Sequence, residues 1–265
     1  MLRLTPIFLA AALAGCSSRP APEVKSHPHG GHEAGHTAAT LMVQADPARP
    51  AAGQPTTLKL MIHGAGGTAV KDFAVVHEQK AHLIVIRDGL DQFAHLHPEI
   101  DAQGNMTARY SFPTGGNYLL FVDYQPSGGE QATAAAQLSV SGTEPPAPEL
   151  KPDVPAVVTG DGLNAKVSVA GAKSGGEATV TFDLTTPAGQ PATDLQPYMG
   201  AMGHLVVLSR DGRQYVHAHP VEGKPATGNV VAFMAHFPEA GLYKGWGQFR
   251  RGDKVCVVPF VAKVD

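Results

Sequence analysis

The sequence predicts an all-β chain in which two antiparallel β-sandwich domains of one design follow each other. Its main support is a repeat, because the segment 82–98 recurs as 204–220 at a constant offset of 122 residues. In both copies a short apolar strand begins with histidine, and a second strand ends in His-x-His-Pro. Turn residues also punctuate the chain every eight to twelve residues, with β-branched segments between them. After the N-terminal segment, no run of twelve residues has a convincing helical period.

Residues 1–16 have the features of a secretory signal: one positive charge at Arg3, a short apolar run and small residues at its end. The run is too short to span a membrane as a stable helix. Its last four residues, Leu-Ala-Gly-Cys, resemble the lipobox of bacterial lipoproteins. This resemblance implies a lipid anchor at Cys16 in the bacterial cell envelope, and Ser17 implies the periplasmic face of the outer membrane. An ordinary cleaved signal is the alternative.

Residues 17–40 are predicted to form a flexible tether, because they are rich in Pro, Gly, Ala and Ser and have almost no large apolar side chains. Within them, the tract SHPHGGHEAGH has a composition that is typical of weak, exchangeable metal binding. The weak ligands predicted there are His27, His29, His32 and His36.

The rest of the chain is predicted to form two domains, 41–142 and 154–265, joined by the proline-rich linker 143–153. Beyond the repeated segment the offset becomes 125, which indicates three inserted residues near 221–228. Seven or so strands in about 100 residues are typical of an immunoglobulin-like antiparallel sandwich. The net charge of −3 and the lack of a basic run argue against nucleic acid as a partner.

Each repeated segment is predicted to form a β-hairpin. With a four-residue turn at 88–91, His82 lies opposite His97, and His95 lies two residues back on the same face. An odd-length turn would instead place the histidines of the two strands on opposite faces. In the second copy, with a turn at 210–213, the corresponding residues are His204, His217 and His219.

Three imidazoles on one face of a hairpin suit a metal ion. Cross-strand Cβ atoms lie roughly 5 Å apart, and rings from such positions can close on one ion with bonds of about 2 Å. The same faces carry large apolar residues, so each group borders a core, and hydrogen-bonded structural histidines are the alternative.

A fourth ligand is predicted from the loop five residues before each first strand. That position is His77 in the first copy and Met199 in the second, with Met202 as a substitute for Met199. Methionine as core filler is the alternative. Imidazole together with thioether selects copper, especially Cu(I), whereas an all-histidine site also accepts Cu(II) or Zn(II). The predicted cofactor is therefore copper, with zinc as the second choice.

Four further residues receive structural predictions. His63 and His236 have no counterpart in the other copy, and we expect structural or surface roles for both. Cys256 alternates with valines in the last strand, which predicts a buried, inert thiol, with a soft metal ligand as the alternative. The single tryptophan, Trp246, is expected in a core, with a place near the site as the alternative.

The elements H-L-x-V-x…F-x-H-x-H-P and P-Y-M-G-A-M-G-H-L-V-V-L-S resemble bacterial secreted proteins and lipoproteins built from YtkA-like immunoglobulin-type domains. These domains are associated with copper and heavy-metal handling, and their sandwich is similar to that of CopC-like periplasmic copper carriers. The resemblance covers nearly all of residues 41–265. By motif match it implies ligand roles for His77, His82, His95, His97, Met199, His204, His217 and His219.

These patterns favour a membrane-anchored, extracytoplasmic copper-binding lipoprotein that buffers the ion or passes it to an efflux or metalloenzyme-assembly partner. The alternative is an adhesion or scaffold module whose histidines brace the hairpins. A copper enzyme is the third hypothesis, although the sequence contains no G-x-S-x-G, no H-E-x-x-H and no paired carboxylates. We therefore do not expect an enzyme.

Overall fold

The computed structural model describes residues 39–64, 66–218, 220 and 228–265. These residues form strands, turns and irregular segments, as the all-β prediction requires. In this part of the chain, no helix is long and apolar enough to cross a membrane.

The first domain contains two four-stranded antiparallel sheets, with strand orders β1-β2-β6-β5 and β4-β3-β7-β8. Its strands are β1 (Thr40–Asp46), β2 (Pro55–His63), β3 (Ala81–Arg87), β4 (Phe93–Leu96), β5 (Glu99–Ile100), β6 (Met106–Ser111), β7 (Gly116–Tyr124) and β8 (Ala132–Val140).

The second domain repeats this plan. One sheet has the order β15-β11-β10-β9, and in the other β14, β13 and β16 lie side by side, with β12 and β17 also paired to β16. Its strands are β9 (Ala156–Gly160), β10 (Leu163–Ala170), β11 (Gly176–Thr185), β12 (Leu195–Gln196), β13 (His204–Ser209), β14 (Tyr215–Ala218), β15 (Val230–Phe237), β16 (Gly241–Arg251) and β17 (Lys254–Val264).

Each domain is a sandwich because its two sheets share one apolar core. In the first domain, Leu58 and Leu60 of β2 pack in the same buried cluster as Leu83 of β3 and Val122 of β7. Side chains alternate between core and solvent along β2, as expected for a strand with one covered face. The predicted tandem of immunoglobulin-like sandwiches is confirmed by this topology.

The strands β3 and β13 are exceptions to the alternation, since every residue of both is buried. Their second faces meet each other in a third apolar cluster that contains residues of both domains. Ile84 and Ile86 of β3 belong to it, as do Val206 and Leu208 of β13. The histidine-bearing faces of the two hairpins therefore form the interface between the domains.

Two aromatic stacks hold this interface in a pseudo-twofold arrangement. Phe93 of the first domain stacks on Trp246 of the second, with ring centroids 5.0 Å apart and planes inclined by 13°. Tyr215 of the second domain stacks on Phe121 of the first at 4.3 Å and 9°. Phe93 and Tyr215 are equivalent in the repeat, as are Phe121 and Trp246. The two domains thus bury the same surface against each other.

The linker is attached to this interface. The buried guanidinium of Arg87 donates hydrogen bonds to both carboxylate oxygens of Asp91, at 2.6 and 2.9 Å, and to the carbonyl of Pro145 at 3.0 Å. Leu150 packs against the apolar cluster between the domains. The proline-rich segment is therefore fixed at several points along its length.

Candidate metal centre

Both hairpins have the predicted register. Arg87 N donates to the carbonyl of Gln92 across the 88–91 turn, and His95 pairs with Ile84. In the second hairpin, Ser209 N donates to the carbonyl of Gln214, and His217 pairs with Val206. His219, the third histidine predicted for this hairpin, lies outside the described residues.

His82, His95 and His97 form a compact group at the open end of the first hairpin. Each offers one ring nitrogen, and these nitrogens all lie within 4.8 Å of one another. The three residues could therefore hold one metal ion.

Histidines of the second domain join this group. The ring centroid of His217 lies 5.5 Å from those of both His82 and His95. The ring of His204 lies 6.1 Å from His95 and 5.9 Å from His77. The sequence predicted one site in each domain, whereas the structure brings both sets together. We call this group the interdomain histidine cluster; it consists of His77, His82, His95, His97, His204 and His217.

Hydrogen bonds to oxygen determine the tautomers of His82 and His95. The Nε2 atom of His82 donates to the carbonyl of Val76 at 3.1 Å, which leaves a lone pair on Nδ1. The Nδ1 atom of His95 donates to Oε1 of Gln248 at 3.0 Å, which leaves a lone pair on Nε2. These two inner nitrogens, His82 Nδ1 and His95 Nε2, are 3.0 Å apart.

The second hairpin repeats this arrangement. His204 Nε2 donates to the carbonyl of Tyr198 at 2.8 Å, and Tyr198 is the repeat equivalent of Val76. His217 Nδ1 donates to Oδ2 of Asp123 at 2.8 Å. In each domain, therefore, the H-x-H strand is oriented by a polar residue of the other domain, Gln248 for His95 and Asp123 for His217.

Asp123 is the functional residue that the sequence analysis missed. Its carboxylate also accepts hydrogen bonds from Tyr215 Oη at 2.5 Å and from Thr133 Oγ1 at 2.6 Å. A signal for it exists, because Asp123 and Gln248 occupy the same repeat position at the offset of 125. Both are polar residues directly opposite the first histidine of a hairpin, Asp123 opposite His82 and Gln248 opposite His204.

Burial keeps the cluster neutral. It lowers the pKa values of His82 and His97, and it lowers the pKa of His204 to about 4. The pKa values of His95 and His217 lie well below the ordinary value, first because of burial and then because neighbouring imidazoles repel a second charge. Neutral imidazole is the form that binds metal.

The predicted fourth-ligand positions, His77 and Met199, lie in equivalent tight turns. Val76 and Gln79 exchange two backbone hydrogen bonds around His77 and Glu78, whose φ angles are 51° and 65°. The turn that contains Met199 has the same pattern, with a φ of 51° at Met199. Such angles are unfavourable for residues other than glycine and concentrate at functional sites.

The predicted ligands in and near these turns have different surroundings. His77 approaches His204 across the interface, as its ring distance indicates, and burial lowers its pKa. Met199 is buried, with 6% of its surface exposed. Met202 packs against the apolar core of the second domain, which is the role of core filler.

Two further predictions, for Cys256 and Trp246, concern described residues, and several others concern residues outside the described part of the chain. Cys256 is buried in the core of the second domain, and burial raises the pKa of its thiol, as expected for an inert cysteine. Trp246 is buried at the interface, close to the cluster, rather than in the core of one domain. The residues that lie outside the described part of the chain are Cys16, His27, His29, His32, His36 and His219.

The donor set fits a metal ion. Two ring nitrogens that bind one ion with bonds of about 2.0–2.1 Å lie about 3 Å apart, which is the spacing of His82 Nδ1 and His95 Nε2. Among the described residues, the buried Nε2 atom of His97 has no hydrogen-bond partner. A buried polar atom without a partner costs about 1–3 kcal/mol, which a bound cation would remove.

Fold and site together define a two-domain β-sandwich protein with a buried histidine cluster between its domains. The chain belongs to the family described as "Domain of unknown function (DUF8832)", which matches residues 36–142 and again residues 156–265. No curated protein sequence matches the chain.

Among solved structures, the FdeC adhesin of Escherichia coli is 17% identical with a TM-score of 0.28, and the match covers 85% of this chain and 64% of that chain. Carbohydrate-binding modules of the β-sandwich superfamily are 9% identical with a TM-score of 0.24, covering 87% of this chain and 99% of that one. Salmonella alpha-2-macroglobulin is 11% identical with a TM-score of 0.25, and the match covers 92% of this chain and 16% of that chain. At these TM-scores the similarities carry no information about function.

Proposed function

We propose that the interdomain histidine cluster is a copper site shared by the two domains, and that the protein buffers copper or passes it on. The observation that carries the proposal is the contact between His82 Nδ1 and His95 Nε2, which are 3.0 Å apart. Because both outer nitrogens donate to oxygen, both inner nitrogens present lone pairs to each other. A cation between them turns this repulsion into two ligand bonds.

Copper is favoured by the chemistry of the donors. Neutral imidazoles suit copper and zinc rather than magnesium or calcium, and copper has the highest affinity in the divalent series. A thioether from Met199 would further favour Cu(I). Zinc is the competing ion for a site made of histidines alone.

The enclosure of the cluster favours binding over catalysis. His204 is 0% exposed and His82 is 4% exposed, and the Phe93–Trp246 and Phe121–Tyr215 stacks lie beside them at the interface. Catalytic metal sites keep an open position for water or substrate, whereas closed sites hold the ion. We therefore propose a carrier or buffer rather than a copper enzyme.

The cellular setting of the proposal comes from the sequence. A lipobox ending at Cys16 would place the protein on a membrane of the bacterial envelope, with the outer membrane as the proposed location. The resemblance to YtkA-like and CopC-like domains supports copper handling there. An efflux system or a metalloenzyme-assembly protein would be the receiving partner.

The test is metal titration of the full chain against a chromogenic competing chelator, with Cu(I) and Zn(II) as separate probes. The double variant His95→Ala/His97→Ala should lose tight binding, whereas the exposed control His236→Ala should retain it. Metal should also raise the melting temperature of the wild type, because only the folded state has the site. A wild type that does not respond to copper or zinc would overturn the proposal.

A specific outcome would support the alternative, an adhesion or scaffold module with structural histidines. In that case the double variant would lose roughly 1–3 kcal/mol of stability without metal, because buried hydrogen-bond partners are left unsatisfied. Metal would then leave the melting curves of all the proteins unchanged.

A further inference from the structure

A second group of soft donor atoms lies on the opposite side of the first domain. Met42 of β1 and Met61 of β2 are directly paired across the strands, and His63 follows Met61 by two residues. Their strand neighbours Leu41 and Ile62 point into the core, so the three side chains lie on the outer face of the sheet. Because the interdomain histidine cluster lies on the other sheet, the two groups share no residue.

The donor atoms of two of these side chains already converge. His63 Nε2 lies 3.2 Å from the sulfur of Met61, although their positions alternate along one strand. A sulfur and a nitrogen on one ion, with bonds of about 2.3 and 2.0 Å, are about 3.5–4.3 Å apart. Only a small opening of the contact would admit an ion between them. Met42 lies beside Met61 on the neighbouring strand and can supply a third donor.

One side chain of this group, Met42, is unusually exposed to solvent for a methionine. Met42 is 52% exposed, one of few large hydrophobic side chains that face solvent among the described residues. Neither Met42 nor Met61 belongs to the apolar cluster of the first domain or packs against it. Two thioethers and one imidazole are a donor set that selects Cu(I) over zinc and over hard cations.

We infer that Met42, Met61 and His63 form a second, solvent-accessible site for a soft monovalent cation, namely Cu(I). The site differs from the interdomain histidine cluster in its donors and in its access to solvent. Thr40, the first residue of β1, pairs with His63. The site therefore lies where the histidine-rich N-terminal segment enters the fold, a suitable position for loading or exchanging the ion.

The experiment uses the full chain, both as wild type and with His95→Ala/Met199→Leu/His217→Ala, which removes two imidazoles of the interdomain cluster and the thioether proposed beside it. Cu(I) affinity is measured without oxygen against a chromogenic chelator, and X-ray absorption reports copper–sulfur bonds. In the His95→Ala/Met199→Leu/His217→Ala background, Met42→Leu/Met61→Leu and His63→Ala should each weaken Cu(I) binding at least tenfold. The double methionine variant should also lose the sulfur signal. Methionine-to-leucine changes preserve volume, so we expect these variants to fold.

Two controls make the result specific. Lys59→Ala alters the same face of β2 without removing a soft donor, and Met234→Leu removes an exposed methionine of the second domain. Both should bind Cu(I) like the parent. Unchanged Cu(I) affinity or an unchanged sulfur signal in Met42→Leu/Met61→Leu would overturn the inference, and the Met61–His63 contact would then be a local hydrogen bond only.

Zinc separates this inference from the proposed function. Zn(II) binding at the interdomain cluster should be weakened by His95→Ala/His217→Ala and be unaffected by Met42→Leu/Met61→Leu. If Met42, Met61 and His63 formed no site, Zn(II) binding at the interdomain cluster would therefore be unchanged. A failure of the interdomain site would leave the Cu(I)–sulfur signal from Met42 and Met61 unchanged in the background that lacks Met199.

Discussion

Asp123 of the first domain accepts a hydrogen bond from His217 of the second at 2.8 Å, while its repeat equivalent, Gln248, accepts one from His95 at 3.0 Å. The two contacts are related by the pseudo-twofold symmetry of the interface. They differ in one chemical respect, since one acceptor is a carboxylate and the other a neutral amide. A carboxylate behind a ligand histidine orients the ring and raises its basicity.

Asp123→Asn tests the role of that carboxylate. The change keeps the shape of the side chain but removes its charge, and we expect metal binding to weaken by about 10–100-fold. Competition titration measures the effect. The control is Asp194→Asn, which removes an exposed carboxylate paired with Arg251 away from the cluster. Equal affinities for wild type and Asp123→Asn would contradict a supporting role for Asp123.

Trp246→Ala tests the interface that brings the histidines together. Trp246 is 3% exposed and stacks on Phe93, so its loss should lower the free energy of unfolding by about 3–5 kcal/mol. Urea denaturation measures this loss. Val157→Ala, at a position that is 67% exposed, should change stability by no more than about 0.5 kcal/mol. A Trp246→Ala variant as stable as this control would show that the stack does not hold the domains together.

The acid sensitivity of the metal-free protein follows from the lowered pKa values. Folding lowers the pKa of His204 from an ordinary 6.5 to about 4. Between these two pH values the unfolded chain binds a proton at His204 and the native state does not. This contribution to stability is fully present above about pH 6.5 and is lost as the pH falls towards 4; the lowering corresponds to about 3 kcal/mol.

Melting curves between pH 7 and pH 4 check this expectation. His204→Gln should reduce the dependence of the melting temperature on pH. The same slope for wild type and His204→Gln would contradict the buried, neutral state of His204.

Metal retention should extend below the ordinary histidine pKa for the same reason. Unperturbed histidines would release metal as the pH drops through about 6.5. Because burial lowers the pKa values of the clustered rings, protons compete for them only at lower pH. Half-release near pH 6.5 in a pH titration of the loaded protein would indicate that the ion binds elsewhere.

The N-terminal histidines should have a separate and weaker effect. Changing His27, His29, His32 and His36 to alanine should leave the melting curve unchanged, because a segment without large apolar residues contributes no core. Only weakly held, easily chelated metal should be lost in equilibrium dialysis. Loss of the tight site in this variant would place the main ligands in the N-terminal segment instead.

Much of the fold and the local geometry of the site could be predicted from the sequence. The repeat and the four-residue turns determine both hairpin registers, so the position of His95 opposite Ile84 follows from counting alone. Period-two alternation then places His82 and His95 on one face. These predictions are local, and they depend on strand geometry that varies little between proteins.

The joining of the two histidine groups could not be predicted in the same way. Alternation shows that the face bearing Ile84 and Ile86 is covered, but not what covers it. The uninterrupted apolar runs of β3 and β13 indicate burial on both sides, yet they do not distinguish a partner chain from the neighbouring domain. Asp123 was missed because its contact with His217 spans 94 residues of sequence.

The central claim is that the two hairpins form one site, and a double-mutant cycle tests it most directly. Metal affinity and stoichiometry are measured by competition titration for wild type, His95→Ala, His217→Ala and the double variant. If both imidazoles serve one cluster, each single change should weaken all of the tightly bound metal, and the double variant should lose less than the sum of the two effects. If each single variant instead lost half of the metal and kept the other half at wild-type affinity, the domains would bind independently and the shared site would be refuted.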